Sequence, residues 1–216
     1  MIITQMRKNG LILGAFALIA TALLVLTQYL TADRIAAQQR SELLKTLNVL
    51  IPPALHDNDL FHDCTLYELP EVLGTSTPQP VYRSRLNGED TALAIQTNAP
   101  DGYSGEIRML VAINTEGRVL GARVLQHKET PGLGDKIETR KSDWILKFAQ
   151  EVIPPQESSR WEVRKDGGAF EQFTGATITP RAVINAIERT IIWANNNKTE
   201  IFAAPSTCQI NEGGDH

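Results

Sequence analysis

Two short stretches of this chain carry residues whose types and spacing suit chemistry. The first is Phe173-Thr174-Gly175-Ala176-Thr177-Ile178-Thr179-Pro180, set just before a long amphipathic run. Pro180 suits the first position of a helix, where its missing N–H leaves nothing unpaired and its φ is already helical. Thr179 is the natural N-cap in front of it. Thr174 and Thr177 then lie at the mouth of a helix, where unpaired N–H groups and the positive dipole end favour a phosphate. The chemistry on offer is anion binding among hydroxyls.

The second stretch is Glu129-Thr130-Pro131-Gly132-Leu133-Gly134-Asp135. Two glycines shortly after a threonine let the backbone come close to a ligand, although the same residues also suit a plain strand-to-helix turn. A third cluster, His56, Asp57, Asp59, His62, Asp63 and Cys64, holds hard and borderline metal-ligand types. Its spacing follows no metal pattern and no later His/Cys pair completes it, so it reads as a solvated polar loop. No residue reads as a general acid, base or nucleophile aimed at a small substrate.

The elements that must position these stretches follow from periodicity. Residues 1–9 are a short tail, and residues 10–31 contain no charge and suffice, at roughly 20 residues, for one transmembrane helix. That run exceeds the ~7–15 residues of a signal-peptide core and no A-x-A site follows it, which favours a retained anchor. Arg7 and Lys8 flank one side, and Arg34, Arg40 and Lys45 the other. A short basic tail before a first helix places the N-terminus in the cytoplasm and the remainder outside, which in a bacterium is the periplasm.

Residues 32–80 read as a stalk helix, with Leu43, Leu44, Leu47 and Leu50 on one face and a stop at Pro52-Pro53, followed by irregular structure. Residues 81–200 form the main domain. Segments 81–86 and 91–97 flank Asn87-Gly88-Glu89-Asp90, and 106–113 and 118–126 flank Asn114-Thr115-Glu116-Gly117, giving two hairpins of an antiparallel sheet. A helix is expected from Trp144 to Pro154-Pro155 and a short strand at 161–164. The last helix carries Ala182, Val183, Ala186, Ile187, Thr190, Ile191 and Ala194 as a stripe for the sheet, fraying at Asn195-Asn196-Asn197. Residues 201–216 form a flexible tail. The fold class is α+β, one transmembrane helix followed by an antiparallel-sheet domain with packed helices. A net charge of -4, with no basic cluster, argues against nucleic acid as a partner.

The apolar anchor, the 129–135 loop and Phe173-Thr174-Gly175-Ala176-Thr177, in that order, resemble the covalent-FMN electron-transfer subunits. The strongest resemblance is to the G subunit of the Rnf (Rsx) electron transport complex, and the chain is also similar to the C subunit of sodium-pumping NADH:quinone oxidoreductase. The resemblance runs from the anchor to about residue 200. It implies that a flavin transferase esterifies FMN phosphate onto Thr177, recognising an acidic position that falls here on Glu171, where the family usually has aspartate. It also implies that Thr130, Gly132, Leu133 and Gly134, with Glu129 at the head of their loop, lie near the isoalloxazine ring. Thr174 and Thr179 would offer hydroxyls to the phosphodiester, with Gly175 and Ala176 completing the turn. Such a phosphodiester keeps one negative charge, which a helix N-terminus can hold. An extracytoplasmic domain would let Cys64 and Cys208 pair, with two buried thiols as the alternative.

The function so implied is a membrane-anchored periplasmic electron relay with covalent FMN, inside a redox-driven ion-translocating complex of the bacterial inner membrane. Its partners would be the other membrane subunits of an Rnf/Rsx-type complex and the maturing flavin transferase. In some bacteria such a complex keeps a redox-sensing regulator reduced. A stand-alone periplasmic flavin-dependent reductase and a non-redox membrane scaffold are the alternatives.

Overall fold

A computed structural model describes residues 2–149, 151 and 160–208. One helix, α1 (Ile2–Leu50), takes in both the apolar run and the segment expected as a separate stalk. No proline or glycine interrupts residues 32–45, so nothing stops the helix before Ile51-Pro52-Pro53. Its apolar window has a mean hydropathy of 2.4 and is unburied within the chain, so by length and composition the helix can cross a membrane. The Thr27 and Thr31 hydroxyls donate to the carbonyls of Leu23 and Thr27, which satisfies them inside the helix.

Residues up to Leu44 form one unit and those from Lys45 onward a second. The second unit is built on five antiparallel strands paired in chain order: β1 (Cys64–Tyr67), β2 (Gln79–Leu86), β3 (Glu89–Ala99), β4 (Ile107–Asn114) and β5 (Val119–Gln126). The expected hairpins are β2–β3 and β4–β5. The first closes more tightly than the sequence suggests, through Asn87 and Gly88, both at positive φ as a type I′ turn demands. β1 and a short helix, α2 (Pro70–Leu73), occupy a stretch expected to be irregular. Four residues are too few to show alternation, and β1 exists because Cys64 and Thr65 pair with Tyr82 and Val81.

The last helix, α3 (Ile178–Ala203), buries Ala182, Val183, Ala186, Ile187, Ile191 and Ala194 in the cluster that holds Leu93, Ile95, Met109 and Val111 of the sheet. Each buried Val or Ile contributes about 1.5–3 kcal/mol. A buried hydrogen bond from Thr190 to Thr97 (2.9 Å) sets the helix against β3. The helix does not fray at Asn195-Asn196-Asn197. Ile201 and Phe202 are buried, and its final carbonyls accept from Arg83 (Ile201, 3.2 Å, and Ala204) and Arg85 (Phe202, 2.8 Å). Cations at a helix C-terminus satisfy its orphan carbonyls and complement its dipole. Asp63 holds both arginines, at 2.7 and 2.8 Å. It therefore belongs to a structural ion network rather than to the solvated loop expected there.

Residues beyond Ala203 are also held. Cys208 forms a disulfide with Cys64, with Cα atoms 5.7 Å apart. The Thr207 N–H donates to the Cys64 carbonyl and the Thr65 hydroxyl to that of Pro205. The flexible tail expected from residue 201 is thus pinned along β1 as far as Cys208, and residues 209–216 lie outside the described residues.

The helix expected from Trp144 is a single 3-10 turn, Trp144–Phe148, and its continuation to Pro154-Pro155 lies outside the described residues. The strand expected at 161–164 is instead one bridge, Val163 to Phe170, and a 3-10 turn, Arg164–Asp166. These pieces close over an aromatic cluster of Trp144, Phe148, Trp161, Phe170 and Phe173. Phe173 stands edge-on to Trp144 at 5.2 Å, fixing the residue just before the hydroxyl-rich run.

Candidate functional site

Both chemically suggestive stretches fold as tight turns with glycine at the third position. In Thr130-Pro131-Gly132-Leu133 the Leu133 N–H donates to the Thr130 carbonyl (3.1 Å), Pro131 presets φ, and Gly132 takes φ +79°. In Phe173-Thr174-Gly175-Ala176 the Ala176 N–H donates to the Phe173 carbonyl (3.0 Å), and Gly175 takes φ +80°. The two turns face each other. A Cβ on Gly175 would sit 3.6 Å from Leu133 Cδ2.

One buried pair ties them together. The Thr179 hydroxyl donates to Glu129 Oε2, across 50 residues of sequence. The other carboxylate oxygen, Oε1, accepts from the Ser104 N–H at 2.9 Å, which brings in the turn before β4. Thr179 is fully buried and Glu129 is 4% exposed. Gly134 makes the approach possible, because a Cβ there would come within 2.7 Å of Glu129 Oε2 and 2.9 Å of Thr179 Oγ1.

This changes the roles expected at the helix start. α3 begins at Ile178 with Thr177 as N-cap, so Pro180 stands at the third helical position rather than the first. Proline is tolerated there because the first N–H groups of a helix lack intrahelical partners. Thr179 does not cap the helix, since its hydroxyl is committed to Glu129. Thr177 occupies the cap position but makes no side-chain capping hydrogen bond. Its hydroxyl is left for another use.

The groove between the turns has a volume of about 280 Å³ and is lined by Tyr103, Glu129, Thr130, Leu133, Gly134, Gly175, Ala176, Thr177, Ile178 and Thr179. Of the residues expected at a cofactor, Thr174 and Gly132 are absent from this lining. Thr174 is exposed at the second position of its turn, and Gly132 shapes the loop, donating its N–H to Asp135 Oδ1 at 2.8 Å. Tyr103 and Ile178 were not expected. Together with Leu133 they stand 67%, 48% and 42% exposed, an apolar rim around a polar floor. The signal available for Tyr103 was a lone aromatic within a dense Gly/Pro/Ser turn.

Glu171 lies apart from the groove, at the surface. Its carboxylate pairs with Lys147 (2.9 Å) and Arg164 (3.2 Å), and its backbone carbonyl accepts from Trp144 Nε1 (2.6 Å). The hydrogen bond from Lys147, and behind it the charges of Lys147 and Arg164, hold the carboxyl below its usual range. Glu171 is therefore a charged, ion-paired surface residue two positions before Phe173.

Behind Glu129 a second cleft, of about 490 Å³, is lined by His127, Glu129, Pro131, Asp135, Glu138, Arg140 and Lys141. His127 Nδ1 accepts the Glu129 N–H (3.0 Å) and its Nε2 meets Glu138 at 2.7 Å. That hydrogen bond from His127, with Arg140 adding to it and partial burial opposing it, keeps the Glu138 carboxyl below its ordinary range.

Comparison with known proteins now defines the class. Residues 102–192 match the FMN-binding domain and residues 1–50 match the RnfG N-terminal region. Across 206 residues the chain is 49% identical to the G subunit of the ion-translocating oxidoreductase complex of Vibrio atlanticus, covering 95% of this chain and 98% of that one. It is 51% identical to the corresponding G subunit of Vibrio parahaemolyticus (95% and 97%) and 50% identical to that of Shewanella amazonensis (96% and 97%). The chain belongs to the family of G subunits of ion-translocating oxidoreductase complexes.

The groove fits a flavin mononucleotide on its own terms. An apolar rim suits a flat aromatic ring, the glycine at 175 leaves room for close backbone approach, and a helix N-terminus beside an uncapped hydroxyl suits a phosphate.

Proposed function

We propose that this chain is a membrane-anchored electron-relay subunit whose FMN is held in the 280 Å³ groove and esterified to Thr177. The observation that carries the reading is the uncapped Thr177 hydroxyl at the start of α3, facing the 130–134 turn across an apolar-rimmed groove. When bound, the flavin supplies the electron chemistry. The chain supplies position. Leu133, Ile178 and Tyr103 would hold the ring and the α3 N-terminus the phosphate charge, while the Glu129–Thr179 hydrogen bond fixes the spacing of the two walls.

Attachment is a group transfer. The Thr177 Oγ1–phosphorus bond would form as the phosphoanhydride bond of an activated FMN donor breaks, the other half of the anhydride leaving as a phosphate monoester and the hydroxyl proton being released, with nothing oxidised or reduced. A flavin transferase performs it, with Glu171 as the acidic mark it reads near the modified turn. The working partners are the other membrane subunits of the complex, and the domain after α1 works in the periplasm. The Cys64–Cys208 disulfide supports an oxidising compartment. The same relay serves a complex that moves ions or one that keeps a redox regulator reduced.

The test is fluorescence of the denatured chain on a gel under ultraviolet light. Chain from cells with the transferase is expected to fluoresce, Thr177→Ala to be dark, and Glu171→Gln to be dimmer. A dark wild-type band would remove the covalent reading, and a fluorescent Thr177→Ala would move the attachment elsewhere.

A further inference from the structure

Charge balance in the groove carries one step beyond that reading and rests on it. Among the ten residues lining the groove there is no lysine, arginine or histidine. Among the described residues, the only ionisable lining groups are Tyr103 and the buried Glu129. A phosphodiester on Thr177 would add a negative charge, and each arriving electron another, to a space where the described lining residues offer no side-chain cation. Like charges in a poorly solvated site disfavour each other strongly. Something must compensate, and helix N–H groups are fixed dipoles that do not respond to the electron.

Glu129 is placed to respond. It lines the groove on one side and the 490 Å³ outer cleft on the other, so one residue forms the partition between flavin space and a water-accessible volume. Its carboxylate is held by neutral donors, the Ser104 N–H and the Thr179 hydroxyl. The hydroxyl can also accept, so a protonated Glu129 keeps both contacts by donating to Thr179 Oγ1. The charged and titratable groups around it are Tyr103 across the groove and His127, Asp135, Glu138, Arg140 and Lys141 in the cleft. Of these, Glu138 is engaged by His127 and Arg140, and Asp135 lies 3.6 Å from Lys141. The cleft cations are thus turned toward the other two carboxylates, while Glu129 rests on its two neutral donors.

We infer that Glu129 exchanges a proton with the outer cleft in step with electron passage through the groove. As one electron enters from a neighbouring redox centre, one proton passes from cleft water to the Glu129 carboxylate, which becomes a carboxylic acid. As the electron leaves, the proton returns to the cleft. The net charge of the groove is the same at both ends of the cycle.

Glu129→Gln keeps the shape and both hydrogen-bonding positions but cannot take up the proton. The holo protein is titrated for its flavin midpoint potential across a wide pH range. Wild type is expected to show a steeper fall of potential with pH than Glu129→Gln, and the reduced-to-oxidised ratio of the variant at fixed ambient potential to rise about tenfold over wild type at the alkaline end. Superimposable curves would overturn the inference. Should the variant take up no flavin, a reduced-minus-oxidised infrared difference spectrum of wild type decides alone. A protonated-carboxyl band gained on reduction, shifted by isotopic labelling of glutamate and kept in Glu138→Gln, supports Glu129, whereas no such band, or one lost in Glu138→Gln, overturns it. A wild-type chain bearing no flavin on its denatured band would instead be a failure of the covalent reading, which the same preparations reveal separately.

Discussion

The hydroxyl of Thr179, in the first turn of α3, donates to the carboxylate of Glu129, at the head of the 130–134 turn, and neither side chain reaches solvent to any extent. That contact joins two motifs separated by 50 residues and makes one groove of them. Thr179→Val, which keeps the shape and removes the donor, is expected to lose about 1–3 kcal/mol of unfolding free energy. Thr179→Ser should lose well under half as much. Urea denaturation of the two variants checks this, and equal midpoints would show that the hydrogen bond is idle.

Gly134 is expected to tolerate no side chain. The Cβ of Gly134→Ala would meet Glu129 Oε2 at 2.7 Å and Thr179 Oγ1 at 2.9 Å, and both atoms are packed in place by their mutual bond. Overpacking of this kind destabilises by about 1–3 kcal/mol. Flavin content per chain should fall along with stability. A Gly134→Ala protein with wild-type melting and full flavin content would contradict the packing described.

The ion network at the end of α3 gives a larger effect. Arg83 is 3% exposed, and Asp63 is the carboxylate that balances it. Asp63→Ala leaves that guanidinium buried without a counter-charge, at a cost of about 3–5 kcal/mol. Hydrogen exchange should report the loss first in the last turns of α3, whose carbonyls Arg83 and Arg85 hold.

Acid should weaken the cleft behind the groove. The Glu138 carboxyl is held below its ordinary value of 4.5 by His127 in the first place. A depressed folded-state value means that its stabilisation is complete above about pH 4.5 and is lost as pH falls through the lower folded value. Glu138→Gln removes that component, so its stability should fall less steeply below about pH 4.5. Parallel acid-unfolding curves for wild type and variant would contradict the assignment.

Reduction should loosen the domain from its C-terminal end. The Cys64–Cys208 bond closes a loop of 144 residues, for which chain entropy gives about 5 kcal/mol. Cys64→Ser, Cys208→Ser and the double variant are expected to melt at one common, lower temperature. Additive losses would mean that the thiols act separately.

The sheet was legible because its hairpins carry local signals, Asn87-Gly88 above all, and α3 because its stripe spans several turns. β1 was not, since four residues held by pairing to β2 show nothing in their own pattern. The extension of α3 past three asparagines was hidden for a related reason. What sustains it is Arg83 and Arg85, about 120 residues earlier in the chain. The site was half legible. The two motifs identify their own turns, but the exchange of roles between Thr177 and Thr179 depends on Glu129 being within reach, which only the fold decides. Tyr103 entered the groove for the same reason, carried there by the Ser104 N–H on Glu129.

Covalent attachment at Thr177 is the claim on which the proposed relay stands or falls. Peptide mass mapping of the chain purified from cells that contain the flavin transferase measures it directly. One FMN-sized increment is expected, on a peptide containing Thr177 and placed by fragmentation on that residue, with none in Thr177→Ala and an undiminished one in Thr174→Ala. An increment on Thr174 or Thr179, or an unmodified Thr177 peptide from a yellow protein, would contradict it.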